Sequence, residues 1–258
     1  MDEKMEKLIF TFDLGFSDMY VDESVRFDTF RNKKKQLYEA RNLIEVDSIL
    51  NHAVFAKLGA EHPSSQLWLE SETDLKASIY LVLGGYYRQA IATLRNWLEV
   101  TLTGICFNQY YRGRSSRYNQ WKAGVRQSPK WLHLLDSVFR RAAFAAADRK
   151  TDLRQTLDNL YSELSSFVHS RGIEIYALQN GRDNVPRYIE HSFDLWFSHA
   201  KRTLTAISLV LIIEYGSESR AYLQASPGES HSLKESFPAE AIEDPLVDTF
   251  LASILTEQ

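Results

Sequence analysis

The chain has 258 residues, 44% apolar and 25% charged, with a formal net charge of −4. That is enough for one large domain, or one domain with appendages, around a sizeable core, and it excludes global disorder. It also excludes a whole-chain attraction to nucleic acid or anionic lipid, so any such binding has to come from a local patch.

Eleven glycines and six prolines are few for this length, which favours long helices over a turn-rich β architecture. The single cysteine, Cys106, rules out a disulfide framework and suits a reducing cytoplasm. It sits in an apolar helical stretch, where a buried small hydrophobe is expected rather than a nucleophile. The start, Met-Asp-Glu-Lys-Met-Glu-Lys, is mixed in charge and does not read as a signal peptide. The most apolar run, 206–213, falls far short of the roughly 20 residues of a membrane span, so no membrane contact is expected.

In chain order, 1–22 is mixed: Leu8-Ile9-Phe10 either pairs as a short strand or covers the core. Residues 23–58 read as a helix with Phe27, Phe30, Leu37, Leu43, Ile44, Leu50 and Val54 as its apolar set. Arg31 to Lys35 give it a basic face, and Gly59 and Pro63 end it. At Gly84-Gly85 either the chain turns or two backbones approach closely. Beyond them, Tyr87, Ile91, Leu94, Leu98 and Ile105 form one apolar stripe, widened by Trp97 and Val100.

Ser128-Pro129 reads as an N-cap followed by proline at the first helical position. The helix after it carries Trp131, Leu134, Leu135, Val138 and Phe139 and runs into the small-residue patch 142–147. Thr151 is expected to start a helix with Leu153, Leu157, Leu160 and Leu164 on one face. Pro186 opens the last large helix, striped by Phe193, Trp196, Ala200, Leu204, Ile207 and Leu211, and Gly216 is expected to end it. Residues 217–240 have the Ser/Glu/Pro composition of a flexible acidic linker. A short amphipathic helix from Pro245 either folds back or docks a protein partner. The expected fold is an all-α, multi-helix bundle, with an N-terminal segment 1–62, a core 63–216 and a tail 217–258.

Three features could carry chemistry. Arg88, Arg95 and Glu99 lie along one edge of the apolar stripe. Arg95 and Glu99 are spaced to pair, which makes the row either a boundary ion pair or a cationic wall facing a phosphate or carboxylate. His169, at the end of Ser165-Ser166-Phe167-Val168-His169-Ser170-Arg171, shares a helical column with Asp158, Ser162 and Ser165. It is either a histidine on the helix dipole or a general base.

The third is electrostatic. Between Glu99 and Asp136 there is no acidic residue, while Arg112, Arg114, Arg117, Lys122, Arg126 and Lys130 alternate with Tyr110, Tyr111, Tyr118, Trp121 and Trp131. Cations neutralise phosphates and aromatic faces stack on unpaired bases. This segment is either a polyanion surface or a solvated loop anchored by its aromatics. Beyond Gly216 there are eight acidic residues against Arg220 and Lys234, so the tail is a candidate competitor for the basic segment. There is no phosphate-binding loop and no dinucleotide fingerprint, and no zinc or di-iron ligand spacing is complete. No cofactor and no metal are expected.

Tyr86-Tyr87-Arg88-Gln89-Ala90 running into Leu94-Arg95-Asn96-Trp97-Leu98-Glu99, with the later Leu164-Ser165-Ser166-Phe167-Val168-His169, resembles HEPN-type helical bundles over roughly residues 64–215. The resemblance implies an all-α bundle that dimerises and, in many members, a metal-independent ribonuclease of toxin–antitoxin or phage-defence systems. Active members carry an Arg and a His with four to six residues between them. This chain departs from that pattern, because no arginine precedes His169 at that distance. Arg126 and His133 have six residues between them, but Ser128-Pro129 intervenes. On this resemblance Arg95, Glu99, His169 and Arg171 are the candidate catalytic groups. Arg112, Arg114, Arg117, Trp121, Lys122, Arg126 and Lys130 are the candidate RNA contacts. A non-catalytic interaction module and a small-nucleotide sensor are the alternatives.

Overall fold

In a computed structural model the described residues are 21–59, 62–112, 116–168 and 186–255, and every regular element among them is an α-helix. These are α1 (Val21–Leu58), α2 (Pro63–Leu83), α3 (Tyr87–Arg112), α4 (Ser116–Lys122), α5 (Trp131–Phe139), α6 (Ala142–Thr151), α7 (Leu153–Val168), α8 (Glu190–Ala225), α9 (Pro227–Ser236), α10 (Ala239–Ile242) and α11 (Pro245–Leu255). None of these helices is long and apolar enough to cross a membrane.

The core is built on the α2–α3 hairpin, flanked by α1, α7 and α8. The expected stripe on α3 is buried in full: Tyr87, Ile91, Leu94, Leu98 and Ile105, with Trp97 beside them. Burying one such side chain contributes about 1.5–3 kcal/mol. One chain of buried polar groups crosses this core. Trp196 Nε1 donates to Ser78 Oγ (2.8 Å), and Ser78 Oγ donates to the Ala90 carbonyl (2.7 Å), tying α8, α2 and α3 together. Cys106 is buried, with its thiol 3.4 Å from Ser137 Oγ.

The chain does turn at Gly84-Gly85, and two backbones also approach there. Gly85 has φ +80°, and a Cβ on it would lie 2.9 Å from the Arg187 carbonyl oxygen. That proximity leaves no room for a side chain.

Several expectations are corrected. Phe27 and Phe30 are exposed, at 66% and 53%. Lys33 faces inward, because α1 kinks there (φ −124°, ψ 26°) and its ammonium reaches Asp194 (2.7 Å) and Glu190 (3.0 Å). Burial opposes its charge, but the hydrogen bonds to Asp194 and Glu190 prevail and hold its pKa above the ordinary lysine value. Ser128 caps nothing: its hydroxyl accepts from Trp121 Nε1, and Lys130 is the N-cap of α5. Thr151 closes α6, and Asp152 in the left-handed region separates it from α7.

The largest correction is C-terminal. Gly216 does not end α8, which runs on to Ala225, and α9, α10 and α11 follow in place of a flexible linker. Leu223, Leu233, Phe237, Ala241, Val247, Phe250, Leu251 and Ile254 are all buried. Helix α9 packs on α1 and α11 packs on α8. The apolar face of the C-terminal helix is therefore spent within the chain, the fold-back alternative. The expected N-terminal strand lies outside the described residues.

Candidate functional site

Helices α3 and α7 run antiparallel, with Arg88 at the level of Val168 and Arg95 at the level of Tyr161. Both arginines leave α3 on the edge of its buried stripe and reach across to α7. Arg88 donates from Nε to the Phe167 carbonyl (2.8 Å) and from Nη2 to the Val168 carbonyl (3.0 Å). It satisfies the carbonyls that end α7, groups with no partner inside their own helix.

Arg95 belongs to a cluster. Its Nη2 donates to Tyr161 Oη (2.5 Å), its guanidinium lies 4.8 Å from the Tyr161 ring centroid, and it is 3.5 Å from Glu99 Oε2. Tyr161 Oη in turn faces Glu99 Oε2 at 3.4 Å. The side chains of Arg95 and Glu99 are 22% and 27% exposed, so each is fixed by its neighbours yet open at one edge. The i,i+4 pairing expected from the sequence is present, and Tyr161 is the group that sequence reading missed.

On its other side Tyr161 carries Trp131. The two rings are stacked, with centroids 4.0 Å apart and planes 4° apart, and Trp131 Nε1 donates to Asp158 Oδ1 (2.9 Å). Trp131 belongs to the acid-free basic stretch. The stretch is thereby joined to the Arg95 cluster through one pair of rings.

Within that stretch Lys122, Arg126 and Lys130 are exposed, and Trp121 is half-buried. Trp121 packs on Phe107 with centroids 4.7 Å apart. Tyr118 and Trp131 are buried, at 6% and 7% exposed, so neither offers a free ring face and both anchor the segment. Arg112 ends α3 and Arg117 lies in α4, and only their backbones are described. Arg114 lies outside the described residues, as do His169 and Arg171. His133 and Arg126 are both exposed, with Arg126 in the turn before α5.

A second polar cluster joins α7 to α8. Glu163 takes two hydrogen bonds from Arg202 (2.6 and 3.2 Å) and lies 3.4 Å from His199 Nε2. His199 Nδ1 donates to the Leu195 carbonyl (2.8 Å). Hydrogen bonding from Arg202 holds Glu163 below the usual carboxylate range, and burial holds His199 below the usual histidine range. The bond to the Leu195 carbonyl fixes the orientation of the ring and turns Nε2 toward Glu163. The one sequence signal for it is the three-residue spacing of His199 and Arg202, which puts both on one helical face. No three acidic, histidine or cysteine side chains among the described residues are grouped to hold a metal ion.

Comparison with protein-family models, curated proteins and solved structures finds no match to this chain.

Proposed function

We propose that this protein acts on RNA as a HEPN-like helical bundle, working in the cytoplasm as a homodimer in a phage-defence or toxin–antitoxin setting. The observation that supports this reading is the Trp131–Tyr161 stack. It sets the exposed cations Lys122, Arg126 and Lys130 on the segment leading to the edge where Arg95 is held by Tyr161 and Glu99. A polyanion can then be gathered by exposed charge and met by a guanidinium already fixed in orientation, the preorganisation that phosphate chemistry requires.

In the catalytic form of this reading the reaction is metal-independent transphosphorylation. His169 takes the proton of the ribose 2′-hydroxyl as its oxygen attacks the adjacent phosphorus. Arg95 and Arg171 stabilise the charge of the pentavalent phosphate; the P–O5′ bond breaks, the 5′-oxygen leaves with its electron pair and takes a proton from water, and a 2′,3′-cyclic phosphate remains. Glu99 and Tyr161 keep Arg95 in place.

The test is labelled single-stranded RNA mixed with the full chain. Binding, with cleavage abolished by His169→Ala, supports the enzyme. Binding with no cleavage leaves an RNA-binding bundle, and neither binding nor cleavage removes the reading.

A further inference from the structure

A cleft of about 360 Å³ lies between α7 and α8, the size range of small-molecule sites. Its floor is apolar, made by Leu153, Leu160, Ala206 and Leu209, and Lys201 and Arg202 stand on its rim. A second hollow of about 350 Å³, walled by Lys35, Asn42 and Ser236, lies on the other side of Lys201. The two hollows share Lys201 and Glu240, whose side chains are paired where the hollows meet.

The two cations on the rim are not equivalent. Arg202 is held by both oxygens of Glu163, on the same helix pair that forms the cleft. Lys201 is fixed on α8, 24% exposed and 5.2 Å from the Phe197 ring centroid. Its partner Glu240 comes from the single turn α10, between Pro238 and Pro245, and is 64% exposed. A mostly solvated carboxylate on so short an element is a weak partner and is readily replaced. One replaceable carboxylate beside an apolar floor matches a ligand with one negative charge and a hydrocarbon body. A multiply charged nucleotide would leave charge over leucine.

We infer that the α7–α8 cleft binds an aliphatic carboxylate, whose head group takes the place of Glu240 on Lys201 and whose chain lies over Leu160 and Leu209. Glu240 is then an internal stand-in for the ligand, and α10 is the strap that it releases.

Titration calorimetry of the full chain with decanoate, butyrate and decanol tests this. Decanoate is expected to bind saturably with one site. Affinity should rise about fourfold per methylene buried and exceed that for decanol at least tenfold. Lys201→Met should remove the preference for decanoate over decanol. Glu240→Gln should tighten decanoate up to about fivefold. Thr205→Phe, filling the cleft from a partly exposed position, should abolish binding while the thermal melt stays cooperative. The proposal is overturned if decanoate does not saturate, if decanol binds as tightly, or if Glu240→Gln leaves the affinity unchanged or lower.

Discussion

The indole of Trp131 lies flat on the phenol of Tyr161, with ring centroids 4.0 Å apart. The tyrosine hydroxyl accepts from Arg95, and the indole N–H donates to Asp158. One aromatic pair thus links α5, α7 and α3. Trp131→Ala removes the stack and orphans Asp158, and the expected loss is about 3–5 kcal/mol. Trp131→Phe, which keeps a ring, should cost well under half of that. Urea unfolding of the two variants checks this. Equal losses would show that the stack adds nothing to burial.

Arg88 gives the sharpest contrast between a structural and a ligand-binding arginine. Its bonds to the Phe167 and Val168 carbonyls predict that Arg88→Met destabilises the fold by about 1.5–3 kcal/mol and leaves RNA affinity nearly unchanged. A variant with native stability and lost RNA binding would make Arg88 a phosphate ligand instead.

Gly85 should not tolerate a side chain. With φ +80° and the Arg187 backbone 2.9 Å from any added Cβ, Gly85→Ala is expected to cost about 1–3 kcal/mol. Gly59 shares the positive φ but has open space around it, so Gly59→Ala should cost less. The difference in melting temperature between the two variants reports the crowding of that Cβ by Arg187 and Val25.

Asp47 is buried on α1, and burial, reinforced by the charge of Glu72, pushes its carboxyl up to about 8. The neighbouring Trp97 and Asn51 side chains oppose that rise without cancelling it. A carboxyl whose pKa is raised on folding contributes stability that is full below its unfolded value near 4 and is lost as pH rises through about 8. Stability should therefore fall across that window, by on the order of a few kcal/mol. Asp47→Asn should remove this part of the slope. Unfolding free energies from pH 4 to pH 9 decide it, and parallel curves for the wild type and the variant would contradict it.

Much of the fold was legible because helical periodicity survives in the sequence. The stripe of Ile91, Leu94, Leu98 and Ile105 is wholly buried, and prolines 63, 227 and 245 stand at the first position of α2, α9 and α11. The C-terminal helices were hidden because their apolar residues are spread among Ser and Glu, and because glycine at 216 lowers helix propensity by only about 1 kcal/mol. Phe250 lies across that glycine, 4.0 Å from where a Cβ would sit, and such packing overrides local preference. Lys33 could not be read as buried, since the carboxylates that pair with it lie on α8. For the candidate site, the Arg95–Glu99 pair was visible at its i,i+4 spacing. Tyr161 is 66 residues from Arg95, and no local pattern reports a contact at that separation.

On the function proposed above, the cations before α5 and the Arg95 edge form one surface for RNA. The most direct measurement is the salt dependence of single-stranded RNA affinity for the wild type and for the triple variant Lys122→Ala, Arg126→Ala, Lys130→Ala. If the surface is used, the wild-type affinity falls steeply with salt, and the triple variant loses affinity with a log–log slope shallower by about 2. RNA binding with the same affinity and the same slope in both proteins would contradict the account.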